Sequence, residues 1–163
     1  MPQTQCRCAA YSHSMTDRND QMSVLSETEC WQLLTDAGLG RLVTNVDGRP
    51  AIFPVNFAVQ NRTVLFRTAE GTKLVGAAIN SDVLFEADGH TPSEGWSVIV
   101  AGVARSLRSD EEIAEAEQVE LVPWVASEKK HFIRIRPRNV TGRRFRFATQ
   151  PADVLAAEDP VLG

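Results

Sequence analysis

An Asp-Gly pair at residues 47–48 sits between two runs that alternate apolar and polar residues, and it constrains the fold more than any other feature. A two-residue hairpin connection requires positive φ at both central positions, and Asp-Gly supplies it. Residues 41–46 and 50–59 therefore read as antiparallel strands. Pro54 interrupts the second. A residue without an N–H breaks a ladder, so this strand is expected to lie at an edge or to carry a bulge there. Gln60, Asn61 and Arg62 then turn the chain into a third strand through Thr63, Val64, Leu65 and Phe66.

Further on, residues 83–87 and 96–107 read as strands, with Gly102 as a bend in the second. Residues 132–136 and 140–147 read as a closing hairpin or strand pair. Ile133, Ile135, Phe145 and Phe147 alternate there with Arg134, Arg136, Arg144 and Arg146, so arginines and apolar residues fall on opposite faces. Three helices complete the pattern. Ser26 and Glu29 form a capping box ahead of an apolar face of Cys30, Leu33, Leu34 and Ala37, and Gly38 and Gly40 end that helix. A short helix follows Lys73. The last opens at Ser109 and carries Asp110, Glu111, Glu112, Glu115, Glu117 and Glu120, a run that reads first as a solvated face. The sum is a mainly β (α+β) chain of about six strands, an antiparallel β-barrel with peripheral helices.

The 163 residues suffice for one domain with a core, and a 43% hydrophobic, 23% charged composition is ordinary for a globular chain. A net charge of -4 argues against general nucleic-acid binding. Residues 1–23 are polar, lack the apolar middle of a signal peptide, and read as a flexible arm. Residues 24–147 form the domain and 148–163 a tail. No apolar stretch reaches the length of a membrane span. Cys6, Cys8 and Cys30 make no disulfide framework, and Cys6, Cys8 and His13 are too few for a metal site. A reducing, cytoplasmic setting is expected.

The chemistry concentrates in residues 65–74. A strand ends there, a polar turn follows, and a helix begins. Such a junction presents backbone N–H groups and partial positive charge. Arg67 and Lys73 add full charges, Thr68 and Thr72 add hydroxyls, and Gly71 sits in the turn. The set suits a phosphate. It is not a P-loop, because the order is Gly-Thr-Lys with a single glycine. His13, His90 and His131 form no nucleophile–base or metal constellation. If the chain catalyses, a cofactor carries the chemistry. The basic block from Arg134 to Arg146 has no acid between Lys129 and Ala152, yet no aromatics share its face. It reads as a solvated face, or as arginines reaching a cofactor phosphate or the acidic helix, and not as a nucleic-acid surface.

Four stretches carry a resemblance: Pro-Ala-Ile-Phe-Pro-Val-Asn-Phe at 50–57, Leu-Phe-Arg-Thr-Ala-Glu-Gly-Thr-Lys-Leu at 65–74, Gly-Trp-Ser-Val-Ile-Val-Ala-Gly at 95–102 and Val-Thr-Gly-Arg-Arg-Phe at 140–145. Over about residues 25 to 147 the chain resembles the flavin-binding split-barrel proteins grouped around pyridoxamine 5'-phosphate oxidase. The resemblance implies a six-stranded split barrel and a homodimer with a flavin mononucleotide (FMN) in each of two interface clefts. It places Arg67, Thr68, Gly71, Thr72 and Lys73 at the flavin phosphate. It lays Pro54, Val55 and Asn56 along the isoalloxazine ring, and Trp96 and Ser97 where a later strand reaches the flavin. Trp96 reads equally as a core or interface aromatic.

The chain also departs from the family's namesake. Phe53 and Ala58 stand where that oxidase carries arginine and lysine, and its C-terminal tryptophan and Arg-x-His signature are missing. These departures point away from pyridoxal phosphate synthesis. The implied activity is a flavin-dependent oxidoreductase acting on a small molecule. The alternatives are a deazaflavin-dependent reductase and a flavin or haem carrier or sensor without turnover.

Overall fold

The computed structural model describes residues 21–68, 81–119, 121 and 131–147. Their elements are β1 (Met22–Leu25), α1 (Glu27–Asp36), β2 (Leu39–Val46), β3 (Arg49–Gln60), β4 (Thr63–Thr68), β5 (Asp82–His90), β6 (Glu94–Ser106), α2 (Asp110–Glu117) and β7 (His131–Arg146). Asp47 (φ 52°) and Gly48 (φ 75°) both take the left-handed region, so the Asp-Gly hairpin forms as the sequence predicts. Its register pairs Val46 with Arg49 and runs to Leu39 opposite Asn56.

The strands described form one antiparallel sheet in the order β1-β7-β4-β3-β2-β5-β6, and a β6–β7 pairing closes it into a barrel. There are seven strands among the described residues, against the six expected. β1 is the addition. Met22 and Ser23, which the sequence assigns to the flexible arm, pair with Phe145 and Arg144. β1 is short and its first three residues are exposed, so it lacks the alternation that marks a strand.

The expected closing hairpin is instead one continuous strand, β7. Opposite it, Ala101 pairs with Asn139 and Gly102 with Pro137, so Arg138 is an extra residue in a bulge. The bulge absorbs the proline's missing donor and bends the strand without ending it. Gly102 is required at this point, because a Cβ there would lie 2.2 Å from the Arg136 carbonyl oxygen.

The barrel interior holds Leu42, Phe57, Val64, Phe66, Phe85, Val98, Val100, Ile133 and Ile135. The rings of Phe57 and Phe85 meet edge-on, with centroids 4.7 Å apart. Helix α1 closes one side with Cys30, Trp31 and Leu34. Its capping box is reciprocal: the Glu29 N–H donates to Ser26 Oγ (3.3 Å) and the Ser26 N–H to Glu29 Oε2 (2.8 Å). Gly40 does not terminate this helix, as the sequence suggests. It lies inside β2, where a Cβ would fall 2.2 Å from the Phe85 ring. A second cluster of Leu65, Leu107, Ala116 and Phe132 joins α2 to the outer face of β4 and β7.

The β3–β4 connection holds two further residues at positive φ, Asn61 (51°) and Arg62 (54°). Arginine is costly there, and its side chain reaches only a loose 4.0 Å approach to Glu27. Arg62→Gly is expected to raise stability by about 0.5–1 kcal/mol, read from urea unfolding midpoints. A lower midpoint would show that the side chain holds the turn.

Candidate functional site

β3 and β4 pair over only four positions, from Gln60 opposite Thr63 to Phe57 opposite Phe66. Beyond Phe57, β3 stays with β2, setting Val55 against Gly40 and Pro54 against Arg41. Beyond Phe66, β4 stays with β7, setting Arg67 against Phe132 and Thr68 against His131. The sheet therefore splits between residues 56 and 67. Pro54 lies on that edge. The Phe57 N–H donates to Gly38 O (3.2 Å), on the β2 side. Donors alternate along a strand, so the N–H that Pro54 lacks would have faced the split.

The two lips present their side chains by parity. Val55 and Phe57 point to the core, as does Phe66 on the opposite lip. Pro54, Asn56 and Arg67 therefore share the outer face beside the split. Thr68 is 6% exposed and turned inward. The Arg67 guanidinium carbon lies 4.3 Å from the Phe132 ring centroid. Its Nε is buried without a hydrogen-bond partner, and no carboxylate among the described residues pairs with it. The Nε atoms of Arg105, Arg134 and Arg144 are buried without a partner as well, so what sets Arg67 apart is its place at the lip of the split, its stack on Phe132 and the lack of a carboxylate partner among the described residues.

The neighbouring arginines differ. Arg134 Nη1 donates to Glu115 Oε2 (3.2 Å) and Nη2 to Gln60 Oε1 (2.6 Å). Arg105 pairs with Glu112. Burial raises the Glu112 carboxyl, but the Arg105 guanidinium outweighs it and holds the group below its ordinary range. Arg134 is thus not part of a solvated face: its side chain is 8% exposed beneath α2. Of the roles the sequence offers the basic block, Arg134 takes the one that reaches the acidic helix. That helix in turn directs Glu112 and Glu115 toward the sheet.

Trp96 and Ser97 lie on β6, and within one chain β2 and β5 stand between them and β3. Trp96 packs half-buried against the main core, and its indole lies so close to Gly89 that a Cβ there would meet Nε1 at 2.7 Å. In the single chain it is a core aromatic. Ser97 pairs with Asp88 and Arg143. Gly71, Thr72 and Lys73 lie outside the described residues, as does the short helix expected after them.

The sequence reading missed the outer face next to the split. Registers place Ile52, Val43, Leu84 and Ala101 in one row across four strands, and Pro54, Arg41, Glu86 and Ile99 in the next. Ile52 is 64% exposed, Leu84 45% and Ile99 41%. Arg41 bonds Glu86 (2.8 Å) and Asp88 among them, and these acids push its guanidinium further above its ordinary value. Apolar residues at consecutive positions, as at Ile52-Phe53 and Leu84-Phe85, signal a strand covered on both faces. Among the described residues no cluster of His, Cys, Asp or Glu could hold a metal, and no helix is long and apolar enough to cross a membrane.

Comparison with known proteins agrees with this fold. Residues 26–144 match the family model for pyridoxamine 5'-phosphate oxidase. A structure of the FAD binding protein from Mycobacterium smegmatis is 60% identical, covers 77% of this chain and 99% of that one, and superposes with a TM-score of 0.70. A FAD-binding protein of Mesorhizobium loti is 26% identical, covering 76% of this chain and 96% of that one, with a TM-score of 0.65. An uncharacterized protein of Mycobacterium tuberculosis is 53% identical over 93 residues, which span 57% of this chain and 84% of that protein. The split barrel and the match over residues 26–144 agree: the chain belongs to the pyridoxamine 5'-phosphate oxidase family, whose split-barrel relatives here include flavin-binding proteins.

Proposed function

We propose that this protein binds a flavin nucleotide at the β3–β4 split as a homodimer and serves as a flavin-dependent oxidoreductase acting on a small molecule. The observation that carries the reading is Arg67: a cation at the lip of the split, held against Phe132, with no carboxylate partner among the described residues. Gly71, Thr72 and Lys73 would complete the phosphate site, whereas Thr68, whose side chain turns inward, would offer it only backbone. Pro54, Val55 and Asn56 would line the ring, because this edge of β3 has no pairing strand among the described residues. When bound, a flavin supplies hydride transfer at its ring, and the chain's part is to bind and orient it and to exclude water. FMN, implied by the family motifs, and FAD, named for two relatives, share the first phosphate, so the assignment of Arg67 serves either.

The apolar outer face supports a second copy. Leu39, Ile52, Leu84 and Ile99 are exposed around the cofactor strand, which a partner would cover. Ser97 shares that outer face, so a partner's Ser97 could approach a flavin its own chain does not reach. The visible absorption spectrum of the purified protein, with FMN or FAD added during purification, tests the reading together with sedimentation. The expected result is an oxidised flavin spectrum on a dimer. A chain that retains no chromophore, or a monomer that holds flavin tightly, would overturn the cofactor or the interface respectively. A haem or deazaflavin spectrum would identify one of the alternative cofactors.

A further inference from the structure

Arg67, Arg105 and Arg134 share the outer face of β4, β6 and β7, and they are held in two ways. Carboxylates of α2 hold Arg105 and Arg134, through Glu112 and Glu115. A ring holds Arg67: it lies opposite Phe132 across β4 and β7, with its guanidinium carbon 4.3 Å from the ring centroid. The difference matters at an anion site. A carboxylate takes up the N–H groups of a guanidinium, whereas an aromatic face attracts the cation and takes up none of them.

Phe132 is itself fixed. It is 3% exposed and sits in the cluster of Leu65, Leu107 and Ala116, with Ile113 of α2 packed against that cluster. The Leu107 N–H donates to the Phe132 carbonyl oxygen (3.0 Å), two residues before the Ser109 that caps α2. The same helix is tied to the paired end of the split. Gln60 Nε2 donates to the Glu115 carbonyl oxygen (2.7 Å) and Asn61 Nδ2 to Glu115 Oε1 (2.7 Å), where β3 turns into β4.

We infer that Phe132 is a positioning residue for the flavin phosphate: α2 holds its ring, and the ring holds the Arg67 guanidinium at the lip of the split with its N–H groups left for the ligand. The inference rests on the reading of Arg67 as the phosphate residue. An arginine that is already oriented loses less side-chain freedom on binding, so the ring raises phosphate affinity without touching the ligand. Phe132 therefore acts on FMN and not on riboflavin, and it acts through Arg67.

The test replaces Phe132 alone by phenylalanines that carry one, two or three ring fluorines. Fluorine drains charge from the ring face and leaves the ring's size nearly unchanged. FMN and riboflavin are titrated by fluorescence against each full-length protein. FMN is expected to weaken stepwise, reaching about two- to fivefold with three fluorines, while riboflavin affinity and Tm stay nearly constant. In the Arg67→Ala background the same series is expected to leave FMN unchanged. Ile113→Ala loosens the cluster from the helix side, and it is expected to weaken FMN by no more than that same two- to fivefold, about the full effect of the ring, and to spare riboflavin. The inference is overturned by fluorinated rings that hold FMN as the parent does, by a stepwise loss that persists without Arg67, or by an Ile113→Ala variant that lowers Tm and leaves FMN unchanged. Arg67→Ala keeps the two readings apart. If that variant binds FMN as the parent does, the phosphate reading fails and takes this inference with it. If it weakens FMN and the fluorinated rings do not, only the role of Phe132 fails.

Discussion

Arg67→Ala is expected to weaken FMN binding on the order of ten- to a hundredfold while leaving the fold intact. The phosphate of FMN is a phosphomonoester carrying close to two negative charges, and a charge-assisted contact to it is worth roughly 1.5–3 kcal/mol. Little stability is lost, because the guanidinium makes no ion pair among the described residues and its main contact is the face of Phe132. Arg134→Ala is the contrasting variant. It strips Glu115 and Gln60 of their shared partner and opens the cluster under α2, so it should lower Tm clearly. Fluorescence titration and thermal unfolding of both variants separate the two roles. If Arg67→Ala unfolds as readily as Arg134→Ala, Arg67 is a structural residue and its place at the site fails.

Phe85→Ala is expected to cost about 3–5 kcal/mol, a large share of the roughly 5–15 kcal/mol that holds a domain of this kind together. Phe85 is fully buried, meets Phe57 edge-on and fills the space above Gly40. Gly40→Ala should destabilise from the opposite cause, by overpacking, at about 1–3 kcal/mol. The two changes should be less than additive, since removing the ring makes room for the new methyl group. Part of the Gly40 penalty should survive in the double variant, because the Glu86 carbonyl oxygen would still lie 2.9 Å from the new Cβ. Urea unfolding of the two single variants and the double checks this. Strict additivity would mean that the glycine is not there for the ring.

What the sequence made legible is what local chemistry determines. The Asp47-Gly48 turn and the Ser26 capping box form within a few residues of chain, and both are present. Ser109 caps α2 as read, but the carboxylate of Glu112 turns to Arg105. That side chain pairs with the end of β6, seven residues back, instead of returning to the helix N-cap. Local chemistry does not determine β7. Pro137 looks like a strand break until the bulge opposite Gly102 is seen, and that bulge exists only because β6 lies alongside. Arg134 alternates with isoleucines as a surface residue would, and only the packing of α2 makes its outer face a second core.

At the site, the missing N–H of Pro54 left an edge or a bulge open, and the structure makes it an edge. Where β3 leaves β4 could not be read, because that depends on which neighbour each strand keeps. Arg67 was legible as a basic residue at a strand end. Its stack on Phe132, 65 residues along the chain, was not.

The central claim is that Arg67 at the β3–β4 split holds the flavin's first phosphate. Fluorescence titration of FMN and of riboflavin, which lacks that phosphate, against the parent and Arg67→Ala tests it most directly. The expected result is tight FMN binding to the parent, FMN weakened on the order of ten- to a hundredfold in the variant, and riboflavin weak and nearly unchanged in both. A variant that holds FMN as tightly as the parent, or that loses riboflavin and FMN in the same proportion, would contradict the claim.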